Sequence, residues 1–341
     1  MKSDTRNSWL VAAASAVGLL AATLYANRRG RYELAGRVVL ITGGSRGLGL
    51  ILARQAVAEG ARVAICARDA EELARARQEL TAHGAQVLTL AHDLTNPDEV
   101  RAMVQQVQQR LGSIDVLLNN AGVISVGALN HMEVRDYEDS LNVHFWAPLH
   151  AMHAVLPDMR RRGEGRIVNI ASVGGKVAVP HLVPYSAGKF ALVGLSEGFR
   201  AELLQYGIRV TTVCPGLMRT GSPRNATLKG QHQLEYAWFS LADSLPALSM
   251  DAERAGREIW NACRRGEAEV VLGLPAKLLA AFHGLLPGTT ANVLSWLNRA
   301  LPGPTDLMGN ERRFGYESES AASPSWLTTL TQQAAADNNE C

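Results

Sequence analysis

The chain has 341 residues, of which 47% are hydrophobic and 19% charged, so it can bury one large α/β core with extra segments at its ends. The formal net charge of +2 gives no bulk attraction for nucleic acid, and we expect no nucleic-acid partner. The four cysteines lack paired C-x-x-C spacing, which favours buried or free thiols over a disulfide framework or a metal site.

An apolar segment comes first. Residues 9–26 read WLVAAASAVGLLAATLYA, without a charge, and a helix of that length rises roughly 27 Å, close to the hydrocarbon thickness of a bilayer. Two basic residues precede the run and three follow it, which favours a cytoplasmic domain after it. We predict that residues 1–33 form a single membrane anchor. A cleaved signal peptide is the alternative, although Leu24 and Tyr25 make a poor cleavage site.

Strand-like apolar runs alternate with amphipathic helical segments over residues 34–273. This alternation predicts βαβ units and hence a Rossmann-like, doubly wound parallel sheet in a three-layer αβα domain. One long helical region is predicted over about 133–161. The strands are predicted at 38–41, 62–66, 87–91, 114–118, 166–171, 208–213 and 269–272.

Residues 274–341 differ in character. Two apolar helical stretches, 277–286 and 291–301, are followed from about Glu317 by a polar chain rich in Ser and Ala. The pattern predicts a C-terminal helical extension and then a disordered tail. The apolar stretches suit either a bilayer surface or packing on the core or on a second copy.

A glycine-rich turn follows the first predicted strand and opens a helix, which is the context of a dinucleotide fingerprint. In its spacing, T-G-x-x-x-G-x-G, glycines let the backbone approach a pyrophosphate, and the helix N-terminus offers free N–H groups to the anion. An ordinary tight turn is the alternative. The candidate cofactor-binding residues are Thr42, Gly43, Ser45, Arg46, Gly47, Leu48 and Gly49.

The end of the second strand bears on the choice of dinucleotide. Folds specific for NAD place an acidic residue about 20 residues past the glycines. Ala67 stands where that carboxylate is expected, and Arg68 follows it. Arg68 and Arg46 can flank a 2′-phosphate, so we predict NADP(H) in preference to NAD(H). Asp69 is the ribose contact in the NAD alternative.

Further cofactor contacts are predicted beyond the third and fourth strands, since ligands of such sheets lie past the strand carboxyl ends. Asp93, followed by Leu94, can meet the adenine amino group or cap the next helix instead. After the fourth strand, Asn120, Ala121 and Gly122 can bring backbone against the cofactor, or form an ordinary turn.

Three side chains point to the chemistry. Tyr185 and Lys189 are four residues apart, so on a helix they share one face, and Ser172 follows the fifth strand. A phenol near pKa 10 is a poor base at neutral pH, but a neighbouring ammonium stabilises its phenolate. We predict that Tyr185 is a general acid/base, with Ser172 donating to the substrate oxygen.

Together these motifs resemble the classical short-chain dehydrogenase/reductase family over about 34–273. The resemblance implies that Tyr185 exchanges a proton with the substrate oxygen, while Lys189 holds the nicotinamide ribose and lowers the tyrosine pKa. It further implies that Asn142 positions a water in a proton relay. It also assigns contacts with the nicotinamide carboxamide to Pro215, Gly216 and Thr220.

The added ends resemble those of membrane-associated members that act on lipids, steroids or retinoids. The loop 220–250 holds Tyr236, Trp238 and Phe239 and few acids, which favours a lipophilic ketone, aldehyde or secondary alcohol as substrate. The resemblance also suggests a homodimer or homotetramer. A non-catalytic NADP-binding regulator or membrane scaffold on the same fold is the alternative function.

Overall fold

The computed structural model of the protein describes residues 32–82, 84–305, 307–320 and 323–341. The apolar run at 9–26, on which the anchor prediction rests, lies outside these residues. Within the described ranges, no helix combines the length and the apolar character that crossing a bilayer requires.

Parallel strands form the central sheet, as predicted. They are β1 (Val38–Thr42), β2 (Arg62–Ala67), β3 (Val87–Ala91), β4 (Val116–Asn119), β5 (Gly165–Ile170), β6 (Ile208–Pro215) and β7 (Glu269–Leu272). Their order across the sheet is β3-β2-β1-β4-β5-β6-β7. Thr42, at the end of β1, pairs with Cys66 on β2 and with Asn119 on β4. Because the order reverses between β1 and β4, a crevice opens there at the carboxyl ends of the strands.

Helices cover both faces of this sheet. Alternate side chains of β1 explain the two layers, since Val39 and Ile41 face one buried cluster while Val38 and Leu40 face the other. The helices are α1 (Gly47–Ala58), α2 (Ala70–Thr81), α3 (Pro97–Leu111), α4 (Val134–Leu141), α5 (Ala147–Arg162), α6 (Val183–Leu203), α7 (His232–Ser244), α8 (Ala252–Arg265), α9 (Leu274–Leu285), α10 (Pro287–Leu297) and α11 (Thr329–Asp337). Helices α1, α2 and α8 pack on the first cluster, and α3, α5 and α6 on the second.

The long helical region predicted at 133–161 contains a change of winding. Helix α4 ends at Leu141, residues Asn142–Trp146 form a π-helix, and α5 begins at Ala147. A π-helix rotates the following side chains relative to a regular α-helix, and such segments are frequent at functional sites.

The apolar helices of the C-terminal extension leave large side chains in solvent. Leu278 is 62% exposed, Leu285 81% and Trp296 67%. These side chains therefore do not pack on the described core.

The end of the chain differs from the sequence expectation. Disorder was expected from about Glu317, whereas residues 323–341 form α11 and a short terminal segment that pack on the domain. Polar side chains of α11 and the residue after it have hydrogen-bond partners: the Thr331 hydroxyl donates to Asp243 (3.0 Å), and the Asn338 side-chain amide donates to the Ala334 carbonyl (2.9 Å).

Candidate active site

The glycine-rich turn and the loop after β4 are locked together. The Thr42 hydroxyl accepts hydrogen bonds from the backbone N–H groups of Asn120 (3.0 Å) and Ala121 (3.2 Å). The Asn120 side-chain amide in turn donates to the Gly43 carbonyl (2.9 Å). The predicted cofactor-binding motifs at 42–49 and 120–122 thus form one continuous wall of the crevice.

Two glycines of the turn are required by geometry. Gly47 begins α1 with a φ of +54°, a conformation that side chains with a Cβ rarely adopt. A Cβ on Gly49 would collide with the Gly43 carbonyl oxygen. Ser45 and Leu48 are buried beside them. The backbone therefore approaches the crevice as closely as a pyrophosphate site demands.

An acidic side chain of the protein itself, Glu340, lies against this turn. The Glu340 carboxylate lies so close that a Cβ on Gly47 would stand 2.5 Å from its Oε1 atom. Arg46 Nε lies 3.4 Å from the same carboxylate. Because a carboxyl group already fits against the start of α1, the residues present suit the phosphates of a dinucleotide.

Asp69, the acidic residue of the NAD alternative, lies at the start of the helix after β2. Asp69 caps α2, where its side chain accepts from the N–H groups of Glu71 (2.8 Å) and Glu72 (2.9 Å), and the Glu72 bond is the first cause that holds the pKa of Asp69 low. Arg68 is exposed. Arg46 Nη1 also pairs with Glu72 (2.9 Å), so its charge is partly balanced.

Asp93 makes its side-chain hydrogen bonds within its own loop. Its carboxylate accepts from the N–H (3.0 Å) and the hydroxyl (2.9 Å) of Thr95, while the following Leu94 is buried. The cap of α3 is Asn96, which accepts from the Asp98 N–H. Asp93 is therefore a loop-forming residue at the end of β3, close to where the sequence placed the adenine.

Tyr185 and Lys189 lie side by side on α6, as their spacing predicted. The Lys189 ammonium is 5.6 Å from the centre of the Tyr185 ring and donates to the Ile170 carbonyl (2.9 Å). Ser172 lies beside them, and its hydroxyl accepts from the Gly174 N–H (3.0 Å). A phenol, an amine and a hydroxyl therefore meet beyond the end of β5.

The surroundings shift the pKa values of these groups. Burial lowers the pKa of Lys189 to about 7, so at neutral pH the amine is balanced between its two charge states. Burial raises the pKa of Tyr185, and a hydrogen bond with Ser172 acts in the opposite direction. With the crevice as described, the phenol holds its proton, which suits a group that must donate it to a substrate oxygen.

His144 occupies the inner side of the π-helix, a position that the sequence analysis did not assign. It is fully buried, and its ring meets the Tyr185 ring edge-on at a centroid distance of 5.4 Å. Its Nε2 atom accepts from the Val123 N–H (3.2 Å). Burial first and Lys189 second keep the pKa of His144 well below its usual range, so the ring is neutral.

The hydrogen bonds of His144 assign its tautomer. The Ser140 hydroxyl donates to the Pro184 carbonyl (2.7 Å), so the 3.1 Å contact between Ser140 and His144 places the proton on Nδ1. The ring therefore joins the loop after β4 to the helix that carries Tyr185.

Asn142 is exposed, in contrast to His144 two residues later. Two residues along a helix lie on nearly opposite sides, so when His144 faces Tyr185 the Asn142 side chain faces away. The structure thus brings Ser172, Tyr185 and Lys189 together and leaves Asn142 outside the group. The signal that could have identified His144, the π-helix, depends on tertiary packing and is not visible in the hydrophobic pattern.

The loop after β6 forms the opposite wall of the crevice. The Gly216 N–H donates to the Leu272 carbonyl (3.0 Å) and continues the pairing of Pro215 with Leu272 on β7. Thr220 is buried, and its hydroxyl accepts from the Ser222 N–H (3.3 Å).

The aromatic residues predicted to cover a substrate divide into two groups. Tyr236 and Phe239 are buried in a cluster with Val126 and Leu228, so they form core rather than substrate surface. Trp238 lies partly exposed on the edge of the cluster and donates to Glu235 (2.7 Å).

Comparison with known proteins finds similarity to dehydrogenases and reductases. The family profile of the short chain dehydrogenases matches residues 37–229. The chain is 36% identical over 245 residues to the Mycobacterium tuberculosis protein named SadH, covering 71% of this chain and 88% of SadH. It is 38% identical over 183 residues to the ketoacyl reductase HetN of a Nostoc species, covering 54% of this chain and 64% of HetN.

A solved structure is similar over most of the fold. It is a gluconate 5-dehydrogenase from Burkholderia cenocepacia in complex with NADP and tartrate, with a TM-score of 0.64 and 28% identity. The match covers 73% of this chain and 98% of that structure.

Proposed function

The chain belongs to the short chain dehydrogenase family and is an oxidoreductase acting on CH–OH groups, and from this premise we propose that it interconverts a lipophilic carbonyl and its alcohol with NADP(H). The observation that carries the proposal is the meeting of Tyr185, Lys189 and Ser172 at the carboxyl end of the sheet.

Each of the three side chains has a chemical task in this proposal. A bound nicotinamide dinucleotide supplies or accepts the hydride. Tyr185 gives its proton to the carbonyl oxygen in reduction and takes it back in oxidation. The Ser172 hydroxyl, which accepts from the Gly174 N–H, polarises that oxygen by donating its proton to it in place of its hydrogen bond with Tyr185. Lys189, in its charged form, stabilises the phenolate that remains.

The preference for NADP(H) rests on the residues after β2. Arg68 is exposed and can meet a 2′-phosphate, while Asp69, the candidate for a ribose contact, uses its Oδ1 atom to cap α2. Arg46 is the second candidate, although binding a phosphate there requires it to leave Glu72 or Glu340.

A lipophilic substrate is proposed from the apolar side chains at the edge of the cluster that contains Tyr236. Ile124, Leu182 and Leu217 are only partly buried there, and Leu182 is close to Tyr185 along the chain. HetN is named a ketoacyl reductase, which supports a fatty-acyl ketone as one member of the class.

We also propose that residues 1–33 anchor the protein in a membrane, with the catalytic domain on the cytoplasmic side. The exposed Leu278, Leu285 and Trp296 support contact of the extension with the same surface. Carbonate extraction of the full chain and of a chain starting at Glu33 tests this. Release of both into the soluble fraction contradicts the anchor.

A homodimer or homotetramer is proposed through the long helices, where Trp146 is 45% exposed and Phe190 42%. Sedimentation of the detergent-extracted protein tests the assembly. A mass equal to one chain at micromolar concentration excludes it.

One observation favours the alternative of a non-catalytic NADP-binding regulator: the terminal segment lies on the glycine-rich turn, where the cofactor is predicted to bind. One experiment separates the two functions. The detergent-extracted protein is incubated with NADPH or NADH and a panel of lipophilic ketones and polar sugars. NADPH oxidation with the lipophilic ketones is expected. Binding of NADPH without turnover of any ketone supports the regulator, and turnover of sugars alone contradicts the substrate class.

A further inference from the structure

The carboxyl-terminal segment is tied to the domain by α11. Thr331 lies buried between α11 and α7, where its hydroxyl contacts Asp243 (3.0 Å) and Ser244 (2.7 Å). Ala335, one turn later, packs against Gly221 in the loop after β6. These contacts direct the four residues 338–341 toward the crevice.

These four residues lie across the space between the two walls of the crevice. The Asn338 carbonyl accepts from the Gly47 N–H (2.8 Å), at the start of α1. The Asn338 side-chain amide reaches the Thr220 carbonyl (3.5 Å) on the opposite wall. Asn339 donates to the Ser45 carbonyl (2.8 Å). The segment thus joins the two loops that are predicted to hold a dinucleotide between them.

Glu340 adds a carboxyl group at the same place. Its side chain is buried, lies against Gly47, pairs with Arg46 (3.4 Å) and accepts from the Asn225 amide (2.6 Å). A buried carboxylate requires such partners, and here they are the Asn225 amide and the Arg46 guanidinium, beside the first turn of α1. Arg46 and that first turn are also where a cofactor phosphate would bind.

We propose that residues 338–341 are a built-in competitor of the dinucleotide, so that the cofactor binds only after this segment has left the crevice. The inference rests on the proposed function. The Gly47 N–H cannot serve the Asn338 carbonyl and a phosphate oxygen together, and the Glu340 carboxylate repels a second anion at the same turn. Cofactor affinity is therefore set by the fraction of molecules whose terminus is undocked.

The alternative geometry is a lid, in which the same segment closes over a bound cofactor. The competitor and the lid predict opposite changes in dinucleotide affinity when the segment is removed. Removal of a competitor strengthens dinucleotide binding, whereas removal of a lid weakens it.

The test compares the full chain with a chain ending at Asp337, which keeps α11. NADPH affinity is measured by fluorescence titration in the absence of substrate, so that turnover does not enter. If nine tenths of the molecules hold the terminus docked, truncation tightens binding about tenfold. Equal affinities overturn the competitor and leave the proposed function standing, and weaker binding overturns it in favour of the lid.

A point variant keeps the test independent of truncation. Glu340→Ala in the full chain removes the contacts with Arg46 and with the Asn225 amide and should also tighten NADPH binding, while Gln333→Ala, at an exposed position of α11, should not change it. A synthetic peptide of residues 338–341, added to the truncated chain that lacks them, should weaken NADPH binding competitively. Failure of the peptide to compete at millimolar concentration, with equal affinities of all three proteins, contradicts the proposal. Absence of dinucleotide binding in every variant instead contradicts the proposed function itself.

Discussion

The two ends of the crevice are built differently. At the end near Tyr185, buried side chains hold one another in place: Lys189 is fixed by the Ile170 carbonyl, and His144 by the Val123 N–H. At the end near Gly47, the partners of the backbone are supplied by the last four residues of the chain. The chemistry is thus preorganised, while access to the phosphate end depends on a segment that is held mainly by hydrogen bonds and one ion pair. The expected effects of substitutions differ accordingly.

The largest effect is expected from Tyr185→Phe. Loss of the phenol should lower kcat by about 10²- to 10⁴-fold, because general acid/base catalysis contributes that much, and should leave NADPH affinity nearly unchanged. Tyr206→Phe, at an exposed position, is the matched control. A Tyr185→Phe enzyme with the parent kcat in a steady-state assay rules out the assigned role.

A substitution in the glycine-rich turn should change cofactor binding rather than kcat. Gly49→Ala drives a Cβ into the Gly43 carbonyl, so we expect NADPH affinity to fall by more than about tenfold and the free energy of unfolding to fall by about 1–3 kcal/mol. Gly198→Ala on α6, where nothing lies within 4 Å of the added atom, should be neutral or stabilising. Nucleotide titration and urea unfolding measure both. Equal behaviour of the two variants would show that the turn tolerates a side chain.

His144→Phe tests whether preorganisation depends on the imidazole. The Val123 N–H loses its acceptor and Ser140 loses a partner, which should lower the free energy of unfolding by about 1–3 kcal/mol and reduce kcat less than Tyr185→Phe does. His153→Phe, on the exposed side of α5, is the control. If both variants unfold at the parent urea concentration, His144 does not hold the loop.

Arg68→Ala sharpens the cofactor assignment. Loss of one exposed charged contact should reduce the ratio of NADPH to NADH affinity by about three- to tenfold. Arg77→Ala, exposed on α2, should leave the ratio unchanged. If the ratio of NADPH to NADH affinity is the same in Arg68→Ala as in the parent protein, residues other than Arg68 recognise the 2′-phosphate.

The smallest effect is a pH dependence at the phosphate end. Burial raises the pKa of Glu340 to about 7, with Glu72 acting in the same direction and Arg46 and Asn225 opposing. A raised carboxyl pKa means that the docked segment is most stable below the ordinary pKa of 4.5 and that this stability is lost as the pH rises to about 7. Between pH 5.5 and 8, the NADPH affinity of the full chain should therefore increase by about three- to tenfold more than that of the chain ending at Asp337. Parallel pH profiles of the two proteins contradict the assignment to Glu340.

The sheet and the proximity of Tyr185 and Lys189 could be predicted because the signals are local. Tyr185 and Lys189 are one helical turn apart, and the glycines at 43, 47 and 49 are constrained by a single turn, so neither depends on distant packing. The same holds for the strands, whose apolar runs are bounded by turn residues.

Two features of the site, His144 and the terminal segment, could not be predicted from local sequence signals. His144 reaches Tyr185 because of a π-helix, and the choice between Asn142 and His144 is decided by how α4 and α5 pack. The terminal segment is polar and short, and its partners are far away in sequence: Asn339 and Ser45 are 294 positions apart. Composition alone classes such a segment as disordered, because its hydrogen-bond partners are not among its neighbours.

The burial of Glu340 one position before an exposed final residue has a practical consequence. Any affinity tag fused after Cys341 would have to leave directly from the mouth of the crevice, and it could loosen or trap the docked segment. Nucleotide affinities measured on protein purified through such a tag would then describe the fusion, so a purification tag placed elsewhere is needed to measure the effect of the docked segment.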